Sequence, residues 1–215
     1  MSAVARNVYP MLPAPTVAGA EEFPVERVAG AFRGFLESLG LDPTHPSLAG
    51  TDYRAARAYE EMLGGLRRAE PEFATFPNTK GYAGMVSVTD IPFYSICAHH
   101  FLPFFGTAHV GYVPRERLVG LSKVARAVDF HARRPQLQED LTEEIAALLD
   151  ARLAPAGLIV FLEARHLCIE MRGVSRPGVT TRTTAVRGTL QDESLQQKFF
   201  ARVRGAGVMA PARDI

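Results

Sequence analysis

Several features are scarce in this sequence, and their scarcity narrows the possible functions. The chain has 215 residues but only two cysteines, so a framework of several disulfides is excluded. Its net charge is +1, which argues against general coating of nucleic acid. No apolar run approaches the length of a membrane span, and no internal repeat or low-complexity tract occurs. We therefore expect a soluble cytoplasmic protein that binds neither nucleic acid nor membrane.

The length predicts one folded domain, preceded by an N-terminal extension. Residues 1–20 contain three prolines among small residues, which indicates a mobile extension. This stretch lacks the long apolar core of a signal peptide, so an oxidising compartment is not indicated. We expect an N-terminal helical region at 21–68 and the catalytic region at 69–215.

Apolar periodicity predicts the element order ααββααββα, which is an α+β arrangement. Helices are predicted at 22–39, 51–66, 115–132, from after 135 to about 153, and 193–204. Strands are predicted at 85–94, 104–113, 158–172 and 180–187, with a loop over 70–84. Because alternate residues of a strand share one face, we expect His166, Cys168, Glu170 and Arg172 to point into one cavity.

Each cysteine lies close to histidine. Cys97 begins the segment CAHH at 97–100, and Cys168 ends the segment HLC at 166–168. Thiolate and imidazole are ligands that Zn²⁺ prefers, and two cysteines with one histidine would leave a fourth tetrahedral position open, as a catalytic zinc requires. Histidines that are not ligands would then be free to move protons. Two alternatives remain open at this point, namely ordinary buried thiols and a Cys97–Cys168 disulfide.

Four blocks of the chain together resemble the GTP cyclohydrolase I family. They are SICAHH at 95–100, GLSKVAR at 120–126, RPQLQE at 134–139 and HLCIEMRG at 166–173, in the family's order and spacing over about 51–204. The resemblance implies a tunnelling fold (T-fold), with an antiparallel sheet and two long helices on one face. It also implies a homodecamer of two facing pentamers, with active sites between subunits.

The resemblance further implies a role for each matched residue. One Zn²⁺ would be held by Cys97, His100 and Cys168, and protons would be transferred by His99 and His166. Glu139, with Gln138, would recognise the guanine edge, because a carboxylate accepts both adjacent N–H donors of guanine. The triphosphate would be held by cationic and hydroxyl side chains, namely Ser122, Lys123, Arg126, Arg172, Arg54 and Arg57.

The activity implied by the resemblance is zinc-dependent hydrolysis of the purine ring of GTP. Formate would be released, and the product would rearrange to 7,8-dihydroneopterin triphosphate, the first step of folate and pterin biosynthesis. Zinc lowers the pKa of a bound water to about 7, which supplies hydroxide near neutral pH. No redox cofactor is expected.

The sequence departs from the family pattern at several positions. Ala98 stands where the family has glutamate in Cys-Glu-His-His, and Asp140 stands where a basic residue is usual. Asp52-Tyr53 replaces a Pro-His type of dipeptide, and Arg57 replaces a common lysine. The changes at Ala98 and Asp140 indicate a divergent member, whereas Arg57 keeps the charge of the lysine. Two alternatives therefore stay open: a paralogue acting on GTP or a related purine nucleotide in a specialised pathway, and a catalytically weak oligomer that binds purine or pterin.

Overall fold

Helical pairs alternate with β-hairpins in the described part of the chain, residues 22–206 of a computed structural model. The helices are α1 (Val25–Ser38), α2 (Thr51–Met62), α3 (Leu121–Ala132), α4 (Gln138–Leu153), the one-turn α5 (Leu167–Glu170) and α6 (Glu193–Ala206). The strands are β1 (Thr75–Pro77), β2 (Val86–Cys97), β3 (Pro103–Val113), β4 (Arg117–Val119), β5 (Pro135–Gln136), β6 (Gly157–His166) and β7 (Thr180–Gly188). The predicted α+β class is confirmed, as is the predicted order of the long elements.

The structure does not test the predicted division of the chain into regions. The extension predicted at 1–20 lies outside the described residues, and the boundary predicted between residues 68 and 69 stays a prediction. Within residues 22–206, no helix has both the length and the apolar character needed to cross a bilayer.

The main sheet brings together the strand ends that carry the cysteine and histidine residues. Its order is β5-β2-β3-β6-β7, antiparallel throughout except for the short parallel pair β2 and β5. Strands β2 and β6 both run antiparallel to β3, so their carboxyl ends lie at the same end of the sheet. At that end Ile96 pairs with Pro103, and Phe104 pairs with His166. The register therefore places Cys97 and the segment after His166 at one end of the molecule.

Apolar side chains fill both faces of the sheet. Helices α3 and α4 cover one face, where Val124, Leu141 and Leu162 are fully buried. Helix α6 covers part of the other face through Phe199, which packs with Ile159. Full burial of one such side chain stabilises the fold by roughly 1.5–3 kcal/mol. The sheet is thus a rigid support for the residues at the carboxyl ends of β2 and β6.

Strand β2 contains a β-bulge in its middle. Val88 pairs with Val110, but Ile91 pairs with Ala108, so two residues of β2 lie opposite the single residue His109. Asp90, inside the bulge, has a φ of 60°, in the left-handed region that a non-glycine residue rarely adopts. Its backbone N–H donates to Nδ1 of His109 at 3.2 Å. This hydrogen bond stabilises the irregular backbone from the neighbouring strand.

Three predicted segments are wrong in part, two of them because tertiary pairing overrides local periodicity. The predicted loop 70–84 contains β1, which pairs antiparallel with β4, so the start of the predicted helix 115–132 is a strand. The helix itself begins only at Leu121, after Gly120. The predicted strand 158–172 ends at His166, where the chain turns into α5. The segment that carries Cys168 is therefore helical.

The helix predicted at 51–66 also ends early, at Met62. A short 3₁₀ turn follows at Gly64–Leu66. Gly65 explains the break, because a Cβ at this residue would lie 2.4 Å from the carbonyl oxygen of Phe130. Its N–H instead donates to the carbonyl oxygen of Arg133 at 3.0 Å. This close approach joins the end of the α1–α2 hairpin to α3.

Candidate functional site

Two cysteines and one histidine converge where strands β2 and β6 end. Cys97 lies at the end of β2, His100 in the following turn and Cys168 in α5, and their ligand atoms lie within 4.8 Å of one another. Sγ of Cys97 is 4.0 Å from Nδ1 of His100. Both thiols are buried and free, while His100 is exposed. The structure brings the predicted zinc ligands together, and this group could hold a metal ion; their role as ligands stays a prediction.

The turn that carries His99 and His100 is tight and internally hydrogen-bonded. The N–H of Phe101 donates to the carbonyl oxygen of Cys97 at 2.8 Å, and the N–H of Cys97 donates to that of Leu102 at 2.8 Å. Phe101 has a φ of 55°, so the turn holds a non-glycine residue in the left-handed region. The ring of His99 lies edge-on to that of His100, with centroids 5.6 Å apart.

The α1–α2 hairpin contacts this turn through a stack of aromatic rings. Tyr59 of α2 stacks on Phe101, with centroids 5.7 Å apart and planes at 17°. Phe32 of α1 packs in turn against Tyr59, with ring centroids 5.3 Å apart. The turn that carries His100 is therefore supported by both N-terminal helices.

The segment around Cys168 does not have the geometry expected of a strand. We predicted that His166, Cys168, Glu170 and Arg172 share a strand face, and this is wrong because the chain becomes helical at Leu167. The carboxylate of Glu170 pairs instead with the guanidinium of Arg165, at 2.7 Å and 2.5 Å. Hydrogen bonding from Arg165 lowers the pKa of Glu170. Arg172 is exposed beyond the end of α5.

The chemistry of the two thiols favours a cation between them. Burial raises the pKa of the Cys168 thiol, and the nearby Cys97 raises it further. Two adjacent thiolates repel each other in a site of low dielectric constant. A divalent cation compensates both charges and deprotonates a coordinating thiol. The residues present thus fit a metal that prefers sulfur and nitrogen ligands.

His166 is held on two sides by buried groups. Its ring stacks on Phe104, with centroids 4.6 Å apart and planes at 1°. Its Nε2 lies 2.8 Å from Oε1 of Gln138. The side-chain nitrogen of Gln138 donates to the carbonyl oxygen of Thr181 and to Oγ1 of Thr183, each at 3.1 Å. Burial lowers the pKa of His166, and the carboxylate of Glu139 partly opposes this effect.

Glu139 and its neighbours begin helix α4. Gln138 is 1 % exposed, whereas Glu139 is exposed and its carboxylate has no hydrogen bond or ion pair within residues 22–206. Negative charge is favourable in the first turn of a helix. Burial raises the pKa of Asp140, and the carboxylates of Glu144 and Glu139 raise it further. Of these adjacent polar side chains, Glu139 is the one that faces solvent.

The predicted triphosphate residues lie on three separate elements. Ser122, Lys123 and Arg126 lie in the first two turns of α3, where Ser122 and Arg126 are exposed. Arg126 lines a cleft of about 130 Å³ together with Arg68 and Arg133. This basic cleft extends the cationic surface beyond the residues predicted from the sequence.

The cations of helix α2 are engaged close to their own positions in the chain. Arg54 donates to the carbonyl oxygen of Ala49 at 3.0 Å and to Oγ1 of Thr51 at 2.8 Å. Arg57 pairs with Glu60 at 2.8 Å. Asp52 and Tyr53, the residues just before Arg54, instead contact α1. These exposed local contacts contribute little energy and are readily exchanged for a ligand.

Comparisons with known proteins cover this whole arrangement. The family model described as GTP cyclohydrolase I matches residues 28–204. A relative named GTP cyclohydrolase 1 from Streptococcus agalactiae serotype V is 44% identical over 174 residues, which is 80% of this chain and 93% of the relative. Proteins of the same name from Halalkalibacterium halodurans (47% over 183 residues) and Aquifex aeolicus (46% over 181 residues) each cover 84% of this chain and 97% of their own length.

Proposed function

Because this chain belongs to the GTP cyclohydrolase I family, we propose that it hydrolyses the purine ring of GTP, releases formate and forms 7,8-dihydroneopterin triphosphate. Its helices and antiparallel sheet, with α3 and α4 on one face, are consistent with the tunnelling fold of that family. The observation that carries the proposal is the convergence of Cys97, His100 and Cys168 beside His166. This reaction begins folate and pterin biosynthesis, and two free thiols suit the reducing cytoplasm in which we place it.

We propose that the metal is Zn²⁺, held by Cys97, His100 and Cys168. Two sulfurs and one ring nitrogen within 4.8 Å of one another are the donor set of a catalytic zinc site with one position left open. When bound, Zn²⁺ lowers the pKa of a water molecule in that position to about 7.

The histidines beside this group supply the proton transfers. The nitrogen of the Gln138 amide faces the carbonyl oxygen of Thr181, which can only accept, so Oε1 must face His166. In its neutral form His166 therefore carries its hydrogen on Nε2 and leaves Nδ1 to exchange protons. We assign protonation of purine N7 to Nδ1 of His166 and movement of the attacking water's proton to His99. Addition at C8 and cleavage of the C8–N9 bond open the ring, and a second hydrolysis releases formate.

Substrate recognition follows from charge and exposure. Glu139 is an exposed carboxylate on the helix turn that also carries Gln138, so it can accept both N–H donors of guanine. Ser122, Lys123, Arg126 and Arg172 would bind the triphosphate, and Arg54 and Arg57 would add two more cations. The Gln138 amide is committed to buried partners, so its contribution to guanine binding would be indirect.

The edges of the sheet support a homo-oligomer, for which we propose a decamer of two pentamers. Strand β7 is the last strand at one edge, and at the other edge β5 pairs with only two residues of β2. Among the described residues, most of β2 and all of β7 thus have an edge without a paired strand. Such edges favour pairing with another chain. Pairing between copies would join the sheets and place exposed cations of one copy near the site of the next.

The proposal is tested by incubating the zinc-loaded protein with GTP. Formate should appear together with a product that becomes a fluorescent pterin after oxidation. Cys168→Ala should abolish both products and lose the metal, while ATP should yield neither product. Zinc-loaded protein that binds GTP but releases no formate would contradict the enzymatic function and support the purine-binding alternative.

A further inference from the structure

An ion pair spans the short segment that carries both His166 and Cys168. Arg165 is the second-last residue of β6, and Glu170 is the last residue of α5. Nε of Arg165 donates to Oε1 of Glu170 at 2.7 Å, and Nη2 donates to Oε2 at 2.5 Å. This two-point geometry is the strong form of an arginine–carboxylate interaction, since it fixes orientation as well as distance.

Burial makes the pair more than a surface contact. The side chain of Glu170 is only 7% exposed, whereas that of Arg165 is 49% exposed. A carboxylate removed from water is costly unless it is paired and hydrogen-bonded. Arg165 is held in turn by the sheet, because its guanidinium lies 5.8 Å from the ring centroid of Phe105. The pair therefore attaches the end of α5 to the central strands.

Helix α5 needs such an attachment because it is a single turn. It spans four residues, far fewer than an isolated helix needs for stability in water. Cys168 and Ile169 pack on the core, and three backbone groups also hold this segment. The N–H of Met171 donates to the carbonyl oxygen of Leu167 at 3.0 Å, the N–H of Arg176 donates to that of Ile169 at 3.1 Å, and the backbone of Gly178 hydrogen-bonds to the Glu170 carboxylate. Cys168 lies in the middle of this turn, so its Sγ moves with it.

We propose that the Arg165–Glu170 pair is a positioning device that keeps Sγ of Cys168 within ligand distance of Cys97 and His100. The inference rests on the proposed zinc site and deepens it. Without the pair, the metal would have to order α5 as it binds, and that ordering would reduce the affinity. Groups that orient metal ligands from outside the ligand set typically change metal affinity by about 10–100-fold when they are removed.

A neighbouring ion pair supplies a matched control. Arg182 and Glu163 pair at 3.1 Å in the next row of the same sheet face, and both are more exposed than Glu170. This pair joins β6 to β7 and does not touch the segment with Cys168. Arg182→Ala removes one arginine from the same surface without loosening α5.

The test is the Zn²⁺ dissociation constant, measured by competition with a chromophoric chelator, supported by the sulfur-to-metal absorption band of the Co²⁺-substituted protein. Arg165→Ala and Glu170→Gln should each weaken Zn²⁺ binding by about 10–100-fold. The double variant Arg165→Glu with Glu170→Arg should recover part of the lost affinity. Arg182→Ala should leave the affinity unchanged. Arg165→Lys keeps the charge but loses the two-point geometry, so it should give an intermediate constant if Arg165→Ala fails to fold.

The outcomes separate this inference from the proposed function. Unchanged Zn²⁺ affinity in Arg165→Ala or Arg165→Lys, with tight binding by the intact protein, would overturn the positioning role and leave the enzyme proposal standing. Equal loss of affinity in Arg165→Ala and Arg182→Ala would also overturn it, because the effect would then be a general loss of charge. An intact protein that binds no Zn²⁺ would overturn the metal site and this inference together.

Discussion

Oε1 of Gln138 lies 2.8 Å from Nε2 of His166, and the nitrogen of the same amide donates to Thr181 and Thr183 on β7. The buried amide thus connects helix α4, strand β7 and the histidine beside the Cys168 turn. Its hydrogen bonds set which nitrogen of His166 carries the hydrogen in the neutral ring.

Gln138→Ala should lower kcat by about 10–10²-fold, less than the roughly 10²–10⁴-fold expected for loss of the histidine itself. The ring would lose the partner that selects its Nε2–H form, while Phe104 would still support it. Steady-state kinetics and metal analysis measure the effect, and metal content should not change. Thr142→Val is a suitable control, because it removes a neighbouring hydroxyl, which donates to the backbone carbonyl oxygen of Gln138 and contacts Thr183, but keeps the Gln138 amide. An unchanged kcat in Gln138→Ala would contradict the orienting role.

The adjacent residues His99 and His100 should have different functions, which their alanine variants can distinguish. His100→Ala should lose the metal, because it removes one of the three converging ligands. His99→Ala should retain the metal but lower kcat by about 10²–10⁴-fold, the usual effect of removing a general acid or base. Elemental analysis and turnover, measured on the same preparations, give the comparison. Metal loss in His99→Ala with full occupancy in His100→Ala would reverse the two assignments.

Glu139→Ala should reduce the preference for GTP over ATP. A carboxylate that a bound base covers without pairing to it loses about 1–3 kcal/mol, and more because it is charged, so the intact protein should discriminate against the mismatched edge of adenine. Competition binding of the two nucleotides measures this preference. Asp140→Asn changes the adjacent carboxylate and should leave the preference intact. Equal affinities for GTP and ATP in the intact protein would exclude Glu139 as the selecting residue.

Tyr59→Ala should destabilise the turn that carries His100. Loss of the stack on Phe101 removes about 0.5–1.5 kcal/mol beyond the area buried, and His100 would be less well placed for metal. Chemical denaturation and Zn²⁺ titration measure the two effects. Tyr59→Phe keeps the ring and should match the intact protein. If Tyr59→Ala has the same free energy of unfolding and the same Zn²⁺ affinity as the intact protein, the stack has no role at the site.

His109 should make the free energy of unfolding depend on pH. Burial lowers the pKa of His109 in the folded chain, although the carboxylates of Asp90 and Glu163 oppose this, while the unfolded value is about 6.5. The unfolded state therefore binds the extra proton first, so this contribution is complete above about pH 6.5 and is lost as the pH falls toward the folded pKa. His109→Gln should flatten the dependence between about pH 7 and 5, measured by urea unfolding. Parallel curves for the two proteins would contradict this assignment.

The sequence predicted the elements whose signal is long and regular. The stripe in α3, with Val124 and Val128 both fully buried, is an example. It did not predict β4 or α5, because three or four residues carry too little periodicity to compete with long-range pairing. Leu118 fits the helical stripe of α3, yet it pairs with Phe76 of β1. The pairing partner lies 42 positions away, where local reasoning does not reach.

Site chemistry was easier to predict than site support. Residue type and spacing indicated the cysteines and histidines, and the structure brings three of them together. The stack of Tyr59 on Phe101 and the pair of Arg165 with Glu170 left weak signals. An arginine and a glutamate five positions apart resemble any solvated charge pattern. Only the turn at Leu167 makes them neighbours, whereas the sequence pattern predicts a strand there.

The bulge in β2 has a consequence for the cysteine seven residues beyond Asp90. Before it, the even-numbered Val86 and Val88 face α3 and α4; after it, the odd-numbered Ile91, Phe93 and Cys97 do. Side chains alternate strictly along a regular strand, so the extra residue of the bulge changes which residue numbers face these helices. A chain shortened by one residue at position 89 or 90 would lose the bulge and make Val88 and Ile91 alternate residues of a regular strand, so Cys97 would still face α3 and α4. If the full-length strand paired without the bulge, Cys97 would instead turn toward the α6 side, away from Cys168.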